Sequence, residues 1–297
     1  MKAKRLRPGD CIGLVAPSHV GMRERYAPII AALEGLGFRV KTGENLYKDT
    51  YGYLATEQER ADDFNAMALD DDVRMVFFGG GEGGNELLPL LDFAAIADHP
   101  KLYCSYSDGT SILSAIYAQT GLVTHYGQAP GNYADLRHYD YLRFASHFID
   151  GGAADHVRSG SWRTLRGGAC EGVLLGGYLG NFALSLGNRY YPYDMTKPYL
   201  LFLESHERFC DVGAVSAQLS HIEQSGLIGN VTGLLFGHYA ETVPDDLLNR
   251  LARFGERYRV PVAYCDDFGH GVHHAVLPIG GKARMDADAQ TLEFFAE

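Results

Sequence analysis

Apolar positions in this chain come as short continuous runs separated by helical stripes. Cys11-Ile12-Gly13-Leu14-Val15-Ala16 is such a run, ending at Pro17-Ser18, the pattern of a strand buried on both faces. From about Met22 to Leu36 the residues Tyr26, Ile29, Ile30, Leu33 and Leu36 fall on one helical face. Gly37 closes that helix and Phe38-Arg39-Val40 opens the next strand. This βαβ opening predicts a parallel sheet and an α/β fold. A helix over 56–69 follows, with Thr56 and Glu59 spaced as a capping box. Val73 to Phe78 is another strand; it runs into the glycine run Gly79 to Gly84 and a helix-like Glu86 to Leu91. Leu102-Tyr103-Cys104 reads as a short buried strand, broken at Ser105-Tyr106-Ser107-Asp108-Gly109. It resumes as a helix with Ile112, Leu113, Ile116 and Tyr117 on one face. Leu122 to Tyr126 is strand-like and 139–148 helical.

Gly151-Gly152-Ala153-Ala154 and Arg158-Ser159-Gly160-Ser161 then interrupt the periodicity, which places a boundary between a domain over 1–155 and one over 156–297. The second half opens at Gly172-Val173-Leu174-Leu175-Gly176-Gly177. Its strand Tyr199-Leu200-Leu201-Phe202-Leu203 ends in Glu204, and its helices are expected near 212–225 and 245–258, with a strand at 231–237 between them. Val260 to Tyr264 leads to Asp267-Phe268-Gly269-His270-Gly271, and the tail from Ala275 to Phe295 reads as short strands and turns.

Composition narrows what such a chain does. With 297 residues, 46% hydrophobic and 21% charged, it is an ordinary globular sequence. Its net charge of −11 argues against a nucleic-acid polymer or an anionic membrane as partner, since both need a basic face. No apolar run approaches the roughly 18 residues of a membrane span. The basic opening Met1-Lys2-Ala3-Lys4-Arg5 leads to a short apolar run broken by Gly13, read as a first strand and not a secretion signal. Five widely spaced cysteines, at 11, 104, 170, 210 and 265, form no CxxC pair. Reduced thiols in the cytoplasm are the expectation.

Several places carry candidate chemistry. A serine on a tight strand-to-helix turn, Ser107, has its hydroxyl lifted above a sheet end beside free helix N–H groups. Against this stands simple helix capping by Ser107 or Asp108. The glycine run follows a strand, as a phosphate loop does, but it has no Gly-Lys-Ser/Thr and it carries Glu82. Backbone donors for an oxyanion fit it better, with a flexible turn as the plain alternative. Glu204, at a strand end, is either a surface charge or a group aimed into a site. His270, between two glycines, is either a turn residue or a general base on a loop. His273, His274, Asp266 and Asp267 lie close by, but their spacing fits no standard zinc motif, so no metal is expected. Ser107, Glu204 and His270 together supply a nucleophile, an orienting carboxylate and a base, with two of the three in the second half, so that the site would lie between the domains. Two other readings stay open: a bilobed ligand-binding module, and Cys104 as the nucleophile.

Over nearly its whole length the chain resembles the LD-carboxypeptidase family of serine peptidases, which includes the microcin C immunity peptidase. The residues that carry the resemblance are Val15-Ala16-Pro17-Ser18, the run Gly80 to Asp92, Ser105-Tyr106-Ser107-Asp108, Tyr126-Gly127, Gly172 to Gly177, Leu201-Phe202-Leu203-Glu204 and Phe268-Gly269-His270. The resemblance implies a Rossmann-like parallel-sheet N-terminal domain and a smaller, β-rich, swivelling α/β C-terminal domain. It implies Ser107 as nucleophile, His270 as general base and acid, Glu204 as orienting carboxylate, and an oxyanion hole from the N–H of Asp108 and that of Gly80 or Gly81. It further implies no cofactor, a homodimer, and a small peptide or peptide-conjugate substrate: a murein tetrapeptide with terminal D-alanine, or a peptidyl- or aminoacyl-nucleotide. Three positions depart from the family pattern. Ser105 stands for the usual glycine, Gly109 for a larger residue, and Gly79 for an arginine. Their closeness to Ser107 points to substrate choice there. Leu203-Glu204-Ser205-His206-Glu207 is similar to the immunity-like branch.

Overall fold

The computed structural model describes residues 3–135, 137–150 and 155–295. The chain divides into two compact units, Met1–Gly152 and Ala153–Glu297. The run 151–154, where the sequence breaks, lies outside the described residues.

The first unit alternates strands and helices: β1 (Cys11–Val15), α1 (Arg23–Gly35), β2 (Arg39–Thr42), α2 (Glu57–Leu69), β3 (Val73–Phe78), α3 (Phe93–Asp98), β4 (Leu102–Ser105), α4 (Thr110–Thr120), β5 (Thr124–Tyr126) and α5 (His138–Phe144). These strands pair in parallel in the order β5-β4-β3-β1-β2. Read from the other edge this is 2-1-3-4-5, a doubly wound order whose switch point lies between β1 and β3. Every residue of β1 and β4 is buried, as strands covered on both faces require. At the edge, β2 is polar: Arg39 pairs with Asp72 and Lys41 with Asp70 at 2.7 Å. Charges of this kind discourage further strand pairing. The expected capping box is present. Thr56 Oγ1 accepts from Glu59 N at 3.2 Å, and the Glu59 carboxylate accepts from Thr56 N at 3.0 Å.

The second unit contains β6 (Arg163–Arg166), β7 (Ala169–Tyr178), α6 (Leu179–Ser185), β8 (Tyr199–Glu204), α7 (Val212–Gln224), β9 (Val231–His238), α8 (Asp245–Tyr258), β10 (Val262–Gly269), β11 (Leu277–Ile279), β12 (Lys282–Asp286) and β13 (Thr291–Phe294). A sheet runs β13-β12-β7-β8-β9-β10-β6. Its centre, β7 to β10, is parallel; β12, β13 and β6 join antiparallel. The face predicted for α7, Val215, Leu219 and Ile222, is the buried one.

Two elements differ from expectation. The helix expected over Glu86 to Leu91 is only a 3-10 turn, Gly84–Leu87. Leu87, Leu88 and Leu91 are buried without forming a helical stripe, and Pro89 offers no N–H to continue the ladder. The helix expected over 139–148 is α5 followed by a π turn, Ala145–Ile149. Among the described residues no helix is long and apolar enough to cross a membrane.

Candidate active site

In the first unit β4 passes through a 3-10 turn, Ser107–Gly109, straight into α4. Ser107 has φ 57°, left-handed backbone that costs a non-glycine residue about 1–2 kcal/mol. The surroundings hold it there. Its N–H donates to Tyr126 Oη at 3.0 Å, and its carbonyl accepts from Thr110 Oγ1 at 2.7 Å. Tyr126 is fully buried at the end of β5. The cap positions fall on Tyr106 and Gly109, and neither makes a side-chain capping bond. The alternative of a capping Ser107 or Asp108 therefore gives way to a different use of Asp108. Its buried carboxylate accepts from Gly84 N at 2.7 Å, tying the serine turn to the glycine loop.

That loop lies at the switch point. A Cβ at Gly80 would stand 2.6 Å from Ser107 Cβ and 3.3 Å from Ser107 Oγ, so only glycine lets the main chain come this close. Gly81 is exposed with φ 146°, and a Cβ there would meet Ser18 O at 1.9 Å. Arg60, 3% exposed on α2, binds the loop from below: Nη1 donates to Pro17 O at 2.5 Å and to Gly83 O at 3.1 Å, while Nη2 pairs with Glu86. Glu82 stands exposed. The short turn after the loop, with the Gly84 N–H already engaged by Asp108, does not make a phosphate cradle.

The departures from the family pattern acquire a packing explanation. Ser105 is fully buried, and a Cβ at Gly109 would meet Ser105 Oγ at 2.1 Å and Ser105 Cβ at 2.6 Å. The Ser105 side chain occupies the space that a Cβ at 109 would need. A Cβ at Gly79 would meet His19 Cε1 at 2.8 Å. Positions 105 and 109 thus pack against each other in the interior beside Ser107, so any part they take in substrate choice acts through the turn.

In the second unit Glu204 ends β8 with no exposed surface, and its Oε2 lies 2.9 Å from His270 Nδ1. A carboxylate acceptor at Nδ1 favours the tautomer with the proton on Nδ1, in which the neutral ring keeps its lone pair on Nε2. His270 is flanked by glycines because both neighbours crowd side chains. A Cβ at Gly269 would lie 3.1 Å from Glu204, and one at Gly271 would lie 2.6 Å from His238 Cγ. The rings of Tyr178 and Phe209 pack edgewise against His270, with centroids 5.3 and 5.4 Å from its own. Burial, and next the Glu204 charge, push the Tyr178 phenol up to about 12, so it is neutral at ordinary pH.

The nearby aspartates go to separate partners. Asp266 Oδ1 pairs with His238 Nδ1 at 2.8 Å and accepts from Tyr264 Oη at 2.9 Å. Asp267 is buried and gathers His156 Nε2 at 2.8 Å, Ser159 N and Oγ at 2.7 and 2.6 Å, and Trp162 Nε1 at 2.7 Å. Among the described residues no group of three or more histidine, cysteine or acidic side chains is arranged to hold a metal ion. The structure is poor ground for Cys104 as a nucleophile: it is fully buried, its Sγ donates to Gln128 O at 3.5 Å, and burial pushes its thiol far above the usual range. Sequence reasoning did not find Arg60, Tyr126 or the His238–Asp266 pair. Their partners lie far along the chain, and only the Tyr126-Gly127 motif hinted at any of them.

A doubly wound unit with a strained serine turn, joined in sequence to a unit with a buried glutamate–histidine pair, is the ground plan of a two-domain α/β hydrolytic enzyme. Residues 12–127 match the LD-carboxypeptidase N-terminal domain and residues 171–285 the C-terminal domain. The chain belongs to the LD-carboxypeptidase family of peptidases. It is 30% identical to the probable murein peptide carboxypeptidase of Bacillus subtilis strain 168, over 98% of this chain and 93% of that protein. It is 25% identical to the microcin self-immunity protein MccF of Escherichia coli, over 98% of this chain and 94% of that one. A crystal structure of an MccF-like protein from Bacillus anthracis has the same fold, with a TM-score of 0.90 at 22% identity, covering 100% of both chains. So does MccF in complex with aspartyl sulfamoyl adenosine, with a TM-score of 0.85 at 22% identity over 100% of this chain and 99% of that one.

Proposed function

We propose that the protein is a serine peptidase of LD-carboxypeptidase type, which removes the terminal D-alanine of a murein tetrapeptide through an acyl-enzyme. The observation that carries this reading is the buried Glu204 bonded to His270 Nδ1 at 2.9 Å, a pairing that leaves Nε2 ready to take a proton. In this reading Ser107 Oγ attacks the amide carbonyl as its proton passes to His270 Nε2. The tetrahedral oxyanion is held by backbone N–H groups of Asp108 and of Gly80 or Gly81. His270 then protonates the leaving amine, and water hydrolyses the ester in a mirror-image second half. Residues 1–155 supply the nucleophile and 156–297 supply Glu204 and His270. The chemistry requires no metal or organic cofactor. We place the enzyme in the cytoplasm as a homodimer, which light scattering of the purified chain tests.

A second reading, an immunity-like peptidase cutting aminoacyl-nucleotide conjugates, draws support from the likeness to MccF and from the segment Leu203 to Glu207. Parallel incubation with L-Ala-γ-D-Glu-diaminopimelate-D-Ala and with an aminoacyl-sulfamoyl adenosine separates the two. Release of D-alanine alone supports the first reading, release of the nucleoside alone the second, and hydrolysis of neither refutes both.

A further inference from the structure

Three imidazoles stand at the ends of neighbouring parallel strands: His206 just beyond β8, His238 closing β9 and His270 just beyond β10. The His206 ring centroid is 6.2 Å from that of His270 and 5.7 Å from that of His238. Each ring has its Nδ1 fixed by a partner, but the partners differ in kind. His270 and His238 face carboxylates, Glu204 and Asp266. His206 Nδ1 instead faces the backbone N–H of Arg208 at 3.1 Å.

That difference fixes a tautomer. A backbone N–H can only donate, so His206 Nδ1 must present its lone pair, and the ring proton of the neutral imidazole resides on Nε2. Nε2 has no hydrogen-bond partner among the described residues and is not sealed from solvent, although His206 as a whole is only 9% exposed. A nine-tenths-buried ring beside the candidate base therefore displays one unanswered donor. Burial first, and then the neighbouring His238, His270 and Arg208, hold the imidazole below the ordinary histidine value, so the donor is a neutral one at physiological pH. The titratable and charged groups that act on it are His238 at the end of β9, His270 beyond β10, and Arg208 and Glu207 in its own loop.

We propose that His206 is a substrate-binding residue that donates its Nε2–H to an acceptor oxygen, carbonyl or carboxylate, of the peptide held for hydrolysis. The proposal rests on the reading of His270 as the base of this peptidase. It also accounts for the segment Leu203 to Glu207, in which a glutamate that orients one imidazole is followed two residues later by a second imidazole that grips the substrate.

The test is steady-state kinetics on whichever of the two substrates above the wild-type protein hydrolyses, supplemented by the Kd of the same compound for a Ser107→Ala background. His206→Phe keeps the ring and removes the donor. It is expected to raise KM and that Kd together by about tenfold, the effect of one lost hydrogen bond, with kcat changed by less than threefold. His206→Gln keeps an N–H of similar reach and is expected to restore KM to within threefold of wild type. An unchanged KM in the phenylalanine variant, or equal losses in the glutamine and phenylalanine variants, overturns the proposal. If the phenylalanine variant fails to fold, the glutamine variant decides: a tenfold rise in its KM counts against the donor role and wild-type KM counts for it. Should wild type hydrolyse neither substrate, the peptidase reading fails and this inference falls with it; normal wild-type turnover with indifferent variants sinks only the inference.

Discussion

The serine turn and the glutamate–histidine pair are built on opposite principles. Around Ser107 the restraint is steric: a left-handed residue, a glycine with no room for a methyl group, and an interior where Ser105 fills the space next to Gly109. Around His270 the restraint is a charge-bearing hydrogen bond from its Nδ1 to Glu204, with the rings of Tyr178 and Phe209 packed against the imidazole. The first region is specified by what is absent from side chains and the second by what is present. Changes that add atoms should therefore damage the first region most, and changes that remove charge should damage the second.

The largest effect is expected from Ser107→Ala, which should lower kcat by at least about 10⁴-fold while the thermal midpoint stays near wild type. Substantial residual turnover would remove the serine from its proposed role. Next is Glu204→Gln, which keeps the shape but loses the charge that holds the His270 tautomer. A fall of about 10³–10⁴-fold in kcat, measured at constant pH, is expected, and a loss under tenfold would mean that the carboxylate is a structural support. For the steric region the sharpest probe is a cycle. Gly109→Ala alone should cost roughly 2–3 kcal/mol by overpacking in chemical denaturation. Adding Ser105→Gly should restore most of it, and simple additivity of the two changes would contradict the sharing of one space by these two positions.

The smallest effect concerns acid. Burial acts to raise the Asp267 carboxyl, but the bonds from His156 and Ser159 outweigh it and hold it at about 2. A folded-state value below the unfolded one, about 3.9, contributes stability that is complete above about pH 4 and is lost as pH falls through 2. That contribution is about 2 kcal/mol. Wild type should lose it on titration from pH 4.5 to 2, and Asp267→Asn, already lacking it, should show a shallower acid slope.

Local pattern made most of the fold legible. The Thr56–Glu59 box, the α1 and α7 faces and the buried runs of β1, β3 and β4 all depend on neighbours within a few residues. Glu204 and His270 were legible as candidates because each closes a distinctive local string, Leu-Phe-Leu-Glu and Phe-Gly-His. What stayed hidden are residues whose meaning depends on distant partners. Arg60 reaches Pro17 and Gly83, His156 reaches Asp267, and Tyr126 meets Ser107. The stretch Glu86 to Leu91 misled for a different reason: a leucine-rich run looks helical whenever its burial has no period to betray it.

The backbone at residue 107 also restricts which chemistry can occupy that position. A β-branched side chain at φ 57° would drive its second γ atom into the preceding carbonyl. Threonine, a competent nucleophile elsewhere, is thereby shut out, while cysteine, branched no more than serine, is admitted. If Ser107 is the nucleophile proposed above, this turn admits its exchange for a thiol but not for a secondary alcohol, and the limit is set by the shape of the main chain and not by the reaction.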